Sequence, residues 1–263
     1  MRRNIVRNIN IICVLATTLV LFSFSDLSRP KYSINKIVID AGHGGKDTGT
    51  RGKYTREKEI ALEIALKLGD IIEENLKDVE VIYTRDNDEF IPLDERAEIA
   101  NKNGADLFVS IHANSEPGHD AHGTESWIMG LHTSERNFEV AKKENSVILM
   151  EEDYREKYEG FDPKSPESYI LFSMYQNAYL DNSFNLADKV EFQFKERVKR
   201  NSRGVKQAGF IVLWKTAMPS VLIEVGFLSH PQEERYLNDK LGRTYLASGI
   251  YRAIRDYKEE IES

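Results

Sequence analysis

Cysteine is almost missing from this chain: Cys13 is the single thiol among 263 residues. No intramolecular disulfide can form, and neither a thiolate metal cluster nor a cysteine nucleophile is available beyond that position. Proline is scarce, at seven residues. After residue 33 there is no internal repeat, low-complexity tract or Pro/Ser-rich linker to separate two domains. Positive charge is in deficit, since 36 Lys and Arg face 43 Asp and Glu for a formal charge of −7. A chain of that balance lacks the basic stripe needed to hold nucleic acid or an anionic membrane surface. Long apolar runs are lacking too. An uncharged run from Ile11 to Phe24 has fourteen residues, short of a bilayer span.

That run does suit a secretory signal. Arg2, Arg3 and Arg7 precede it, and Ser23 and Ser25 form a small-x-small site ahead of Asp26. Residues 1–30 are therefore expected to be a signal peptide or, if uncleaved, an N-terminal anchor and the only membrane contact. Either form exports the remainder of the chain to the periplasm or cell envelope. Further apolar residues come after Cys13, which argues against a lipidated N-terminus. The exported part, 31–263, is large enough to fold around its own core without covalent staples.

Strand-like stretches are 35–40, "VEVIYTR" 79–85, "DLFVSIHAN" 106–114, "TESWIM" 124–129, "GFIVLW" 209–214 and "SVLIEVGF" 220–227. Helical periodicity covers 56–76, 93–103, 134–145, 166–200 and 232–260. This alternation predicts a single α/β domain, a largely parallel twisted sheet of about six strands with helices on both faces. Residues 145–183 are the exception, a charged insert longer than one connection needs.

In open α/β sheets, ligands gather beyond the carboxyl ends of the strands. His43 comes after the apolar run "IVIDAG", on a turn that glycines 42, 44 and 45 let bend sharply. His112 ends "SIH" and Glu224 ends "LIE". Singly, each of these reads as well for a structural residue. Glu57 adds a fourth. It stands three, four and seven residues before Ile60, Ala61 and Ile64, on the inward face of its helix, whereas Glu59 and Glu63 fall on the solvated side. The helix dipole favours an acid in the first turn, but equally one facing water, so it does not account for the inward placement. Two histidines and a buried glutamate with an open fourth position make a catalytic zinc arrangement. A further carboxylate can take a proton from the attacking water and pass it to a leaving amine. His119 and His122 are rival ligands in a Pro/Gly loop; His132 and His230 read as surface residues.

"DAGHGG", the "EK" of Glu57–Lys58, "TR" at 84–85, "SIHAN" and "IEVGF" resemble, in this order, the zinc-dependent N-acetylmuramoyl-L-alanine amidases of bacterial cell walls. The resemblance runs over residues 34 to 257. It implies a Zn2+ site of His43, Glu57 and His112, with Glu224 as the catalytic carboxylate and Asn114 near the substrate. It also implies peptidoglycan as substrate, cut between the lactyl group of N-acetylmuramic acid and the L-alanine of the stem peptide. The protein is expected to act as a monomer. The alternatives are another zinc amidohydrolase or peptidase acting on wall peptides, and an inactive wall-binding regulator. The 145–183 insert occupies the place where some relatives carry a regulatory helix, though its sequence differs. An acidic cluster comes after its apolar start, so 147–165 could lie over the cleft and offer a carboxylate to the open position until an activator protein removes it. A plain surface excursion, or a wall of the substrate groove, fits the same residues.

Overall fold

Six strands form one sheet in the order β2-β1-β3-β6-β4-β5. They are β1 (Lys36–Ala41), β2 (Glu80–Tyr83), β3 (Leu107–Asn114), β4 (Thr124–Met129), β5 (Ser202–Ala208) and β6 (Ser220–Phe227). The computed structural model describes residues 32–118, 120–132, 134–173 and 178–263; the expected signal or anchor at 1–30 lies outside them. β1, β2, β3 and β6 run parallel, β4 is antiparallel to β6, and β5 is parallel to β4. The helices are α1 (Glu57–Asn75), α2 (Leu93–Lys102), α3 (Glu135–Asn145), α4 (Tyr154–Lys157), α5 (Pro166–Ser173), α6 (Leu180–Gln193), α7 (Ile211–Trp214), α8 (Pro231–Asn238) and α9 (Lys240–Glu262). No helix among the described residues is long and apolar enough to cross a membrane.

β1, β3 and β6 read as continuous apolar runs because both faces of the sheet are covered. On one face Ile37, Ile39, Val109, Ile111, Val221 and Ile223 meet α1, α6 and α9. The stripe Ile60, Ile64, Leu68 and Ile72 of α1 is fully buried there. Each such side chain contributes about 1.5–3 kcal/mol on leaving water. The other face changes character along the strands. Val38, Phe108, Leu222 and Trp127 form an apolar layer. One pleat further come Asp40, Ser110, Glu224 and Glu125, all fully buried. The register pairs His112 with Glu224 and Glu125 with Glu224, so polar residues collect at the carboxyl ends of the parallel strands.

Three sequence expectations change. "GFIVLW" is not a strand: residues 211–214 make the single helical turn α7, and the strand beside β4 is "SRGVKQA", 202–208. The helix expected over 166–200 is two helices, α6 ending in a π turn at Phe194–Val198. The one over 232–260 breaks at Asp239, whose side chain accepts from Gly242 N and caps α9. The insert after residue 145 is made of short pieces, and Val147, Ile148, Tyr158, Phe161 and Tyr169 join the second core.

Asp40 anchors the polar layer. Its Oδ1 accepts from Arg96 Nη1 at 2.8 Å and Thr84 Oγ1 at 2.6 Å, and its Oδ2 from Ser110 Oγ at 2.6 Å. Burial resists ionisation, but Arg96 and the two hydroxyls outweigh it and hold the carboxyl below its ordinary 3.8. Arg96 also donates to the carbonyls of Ala41 and His43, and Arg85 to those of Ala41 and Gly42. Two guanidinium groups thus fix the backbone that leads into the His43 loop. Removing one partner of such a buried pair costs about 3–5 kcal/mol. Asp40→Asn is expected to lose about that much stability in urea at pH 7. A carboxyl depressed in the fold stabilises above its unfolded value and loses that contribution as pH falls through the folded one. The gap between wild type and variant should therefore close below about pH 4. A gap independent of pH would show that the charge of Asp40 is not what matters.

Candidate metal centre

The centre is built where the chain leaves β1 and β3 and enters α1. His43 has a φ of +61°, in the left-handed region, and Arg96 donates to its carbonyl at 2.8 Å. Gly42 is required by contact: a Cβ there would come within 2.4 Å of His112 Nε2. Gly49, at φ +60°, is as tightly placed, since a Cβ would sit 2.6 Å from His43 Cδ2 and 2.7 Å from Glu57 Oε2. The two imidazole rings stand edge to face with centroids 4.8 Å apart.

Glu57 is fully buried at the first turn of α1. Its Oε1 accepts from Ala113 N at 3.0 Å and lies 3.0 Å from both His112 Nδ1 and His43 Nε2. Its Oε2 accepts from Thr50 N at 2.8 Å. Burial raises its pKa, but His43 first, then Lys143, with the His112 hydrogen bond, pull it far below the ordinary carboxylate range. Glu59, by contrast, is exposed, and Glu63 pairs with Arg243 at 2.7 Å on the outside.

A residue that the sequence pattern does not single out completes the cluster. Glu144, near the end of α3, puts Oε2 at 3.3 Å from His43 Nε2 and 3.2 Å from His112 Nδ1. His43, Glu57, His112 and Glu144 are all buried, with one donor atom from each within 4.8 Å of the others. His43 Nε2 and Glu144 Oε2 are buried and make no hydrogen bond. Two buried lone-pair atoms that face each other this way fit a shared cation. Two imidazole nitrogens with carboxylate oxygens form the donor set of a divalent metal such as zinc. The other nitrogen of His43, Nδ1, lies 2.7 Å from Asp47 Oδ2. That pairing holds the tautomer whose Nε2 lone pair points into the cluster. The i, i+4 aspartate in "HGGKD" is the sequence signal for it.

The protein's own charges set one another. Burial works against a charged His43, but Glu57, Asp47 and Glu144 outweigh it and raise its pKa well above 6.5. His112 is pushed up to about 9 against burial by Glu144 and Glu57. A metal would replace those protons.

Glu224 sits near the end of β6 beside His112, fully buried, with neither carboxylate oxygen in a hydrogen bond. Burial and then Glu144 and Glu57 raise its pKa well above the usual value. Its neighbour Glu125 is buried too, but its Oε1 meets Arg136 at 2.7 Å, Lys206 at 2.6 Å and Arg203 at 2.5 Å. Those cations overcome burial and keep Glu125 ionised. The two adjacent carboxylates are thereby driven apart, Glu125 toward the ionised form and Glu224 toward the protonated one.

Asn114 is buried and its Oδ1 accepts from Ser115 N at 2.7 Å. His119 lies outside the described residues. His122 is exposed, bonded to its own loop at Asp120 O, with its ring tilted against that of His230 and outside the cluster. His230 accepts from Gln232 N and Glu233 N and caps α8. His132 packs against Phe138. The acidic cluster at 151–153 does not reach the centre: Glu151 accepts from Tyr158 Oη at 2.8 Å and Lys157 at 3.0 Å, and Glu152 and Asp153 are exposed. The carboxylate that does reach it precedes the insert.

Comparison with known proteins gives a consistent picture. A family described as N-acetylmuramoyl-L-alanine amidase matches residues 37–256. The amidase AmiA of Escherichia coli K12 is 34% identical over 225 residues, covering 84% of this chain and 75% of that protein. AmiC of Escherichia coli O6:H1 is 35% identical over 84% of this chain, which spans about half (52%) of that longer relative. Among solved structures, an N-acetylmuramoyl-L-alanine amidase from Clostridium difficile 630 superposes with a TM-score of 0.64 at 30% identity, over 87% of this chain and 98% of the other. The CwlD amidase of Clostridioides difficile, solved in complex with the GerS lipoprotein, gives 0.63 at 27% identity, over 86% and 99%.

If Asp47 orients His43, its loss should weaken metal binding about 10- to 100-fold. Asp47→Ala is expected to show that loss in a chelator competition, with the far-UV circular dichroism unchanged. Unaltered affinity would remove Asp47 from the centre.

Proposed function

The chain belongs to the N-acetylmuramoyl-L-alanine amidase family, and from that premise we propose which residues run its reaction and how they are held at rest. The enzyme hydrolyses the amide between the lactyl group of N-acetylmuramic acid and the L-alanine of the stem peptide in peptidoglycan. We assign Zn2+ to His43, Glu57 and His112. When bound there it acts as a Lewis acid that polarises the scissile carbonyl and makes water more acidic. Glu224 is the general base. It has no hydrogen-bond partner to compete for its lone pairs, and its raised pKa suits it to take a proton from water and return it to the alanine amine.

Glu144 carries the second half of the proposal. With a metal held by His43, Glu57 and His112, the Glu144 carboxylate, 3.3 Å from His43 Nε2 and 3.2 Å from His112 Nδ1, would supply a fourth donor and close the resting enzyme to substrate. α3 is held at both ends. Arg136 reaches Glu125 at 2.7 Å and Glu116 at 3.4 Å. Asn145 donates to Gly209 O at 2.7 Å and accepts from Ile211 N at 2.9 Å. Activation requires α3 to leave, and an activator protein that displaces it is the partner this geometry suits; the pairing of CwlD with a lipoprotein supports an accessory protein for such enzymes. The substrate places the work outside the cytoplasmic membrane, in the periplasm or cell envelope. Export depends on residues 1–30, and the described domain works as a monomer.

The carrying observation is the convergence of four buried donors with one unpartnered carboxylate beside them. Digestion of muropeptides should release new L-alanine amines, and chelator should stop it; a later residue as the new N-terminus means a peptidase. Glu224→Gln should retain zinc and lose activity about a hundred- to ten-thousandfold, and near-normal turnover would refute its role. Glu144→Ala should keep zinc and raise basal hydrolysis; a variant that is loaded and folded yet no faster would end the closed-site reading.

A further inference from the structure

Two basins border chain segments next to the metal cluster, and their charges differ. One, of about 460 Å³, lies beneath α3 and is lined by Glu116, Glu135, Glu139, Arg136 and Lys143. Its cations are already committed: Arg136 pairs with Glu116 and Glu125, and Lys143 lies 3.0 Å from Glu144. The other, of about 690 Å³, lies between the loop after Thr50 and the start of α8. Arg51, Lys53 and Arg235 line it, over a floor that includes Leu228 and Pro231. Among the described residues none of these three cations has a carboxylate within ion-pair distance. Arg51 Nε donates to Thr48 Oγ1 at 3.3 Å and Lys53 lies over the Tyr54 ring, so in a chain of net charge −7 three cations without a carboxylate partner gather around one basin.

The basin is joined to the reaction centre on both sides. Arg51 comes directly after Thr50, whose N–H donates to the metal-site carboxylate of Glu57 at 2.8 Å. Leu228 N donates at 2.8 Å to the carbonyl of Asn114, which stands two residues beyond His112 on β3. The cation-bearing loop is also fixed. The one acid lining the basin, Glu234, is buried and spends Oε1 on Tyr54 N at 2.6 Å and Thr55 N at 3.2 Å. Gly52 lies so close that a Cβ would be 2.3 Å from that same oxygen. Asn238 ties down Thr55 from α8. The cations are therefore displayed on a rigid support, which limits the ordering cost of binding an anion.

We propose that this basin binds the free carboxylates of the stem peptide, so that Arg51 and Arg235, with Lys53, select anionic peptides for hydrolysis. The inference rests on the amidase reading above. The glycan side of the scissile bond offers hydroxyls and acetamides. On the peptide side, a second residue that is γ-linked glutamate keeps its α-carboxylate free. Guanidinium groups grip such a carboxylate through paired hydrogen bonds.

The test uses the full zinc-loaded protein and two muramoyl peptides that differ only in that α-carboxylate, free in one and a carboxamide in the other. Wild type should favour the free acid in kcat/KM by about tenfold, mostly through KM, the size expected for one charge-assisted contact. The R51Q/R235Q protein should treat the two peptides alike. Both side chains are exposed, and zinc content with the rate on the carboxamide peptide reports any general damage. A wild type without preference, or a variant that keeps it, overturns the proposal alone. A wild type that frees no alanine amine from either peptide overturns the amidase reading and this one with it.

Discussion

A single desolvated carboxylate holds the centre together. Glu57 has no exposed surface, and an acid so placed is tolerable only if its lone pairs are used. Two backbone amides, Thr50 N and Ala113 N, take one oxygen each, and two imidazoles close on Oε1. Those four partners come from the loop after β1, from β3 and from the His43 turn. Satisfying Glu57 therefore fixes the relative position of three segments at once. The glycines answer that demand. Gly49 leaves room for the carboxylate and His43, and Gly42 leaves room for the ring of His112.

The sheet supplies the second constraint. On one face the pleat passes from an apolar layer near the amino ends of the parallel strands to a polar layer near their carboxyl ends. Within the polar layer, cations decide each acid's role. Asp40 has Arg96, and Glu125 has Arg136, Arg203 and Lys206. Glu224 has no ion pair, and burial with the charges of Glu144 and Glu57 outweighs His112 and Lys143. Carboxylates of one layer differ here by what surrounds them.

Much of this is legible in local pattern. β1, β3, β4 and β6 announce themselves as apolar runs bounded by turns, and the inward face of α1 singles out Glu57 from Glu59. Where sequence reasoning fails, the deciding contact is tertiary. "GFIVLW" is as apolar as any strand, and a short apolar run does not distinguish a strand from a buried helical turn. "SRGVKQA" has too few β-branched residues to look like a strand; it is half-buried, and its pairing with β4 creates it. Glu144 comes after two lysines in "AKKEN", a stretch that reads as a solvated helix end. Only the packing of Phe138 and Ala141 into the second core turns that end toward the histidines. The break at Asp239 depends on its cap and on Gly242, where a Cβ would come within 2.3 Å of Tyr236 O.

The residues of the cluster come from four places in the chain, positions 43, 57, 112 and 144, with Glu224 further still. No short stretch of the unfolded polypeptide is a competent chelator, because closing loops of that length around an ion costs entropy before any bond repays it. Strand pairing is similarly non-local, β1 with β3 and β3 with β6, and such topologies assemble late and slowly. A cation can therefore recognise this chain only once assembly is nearly finished. Its binding energy then falls on the native state alone, lengthening the lifetime of the finished domain while leaving the speed of its formation almost untouched.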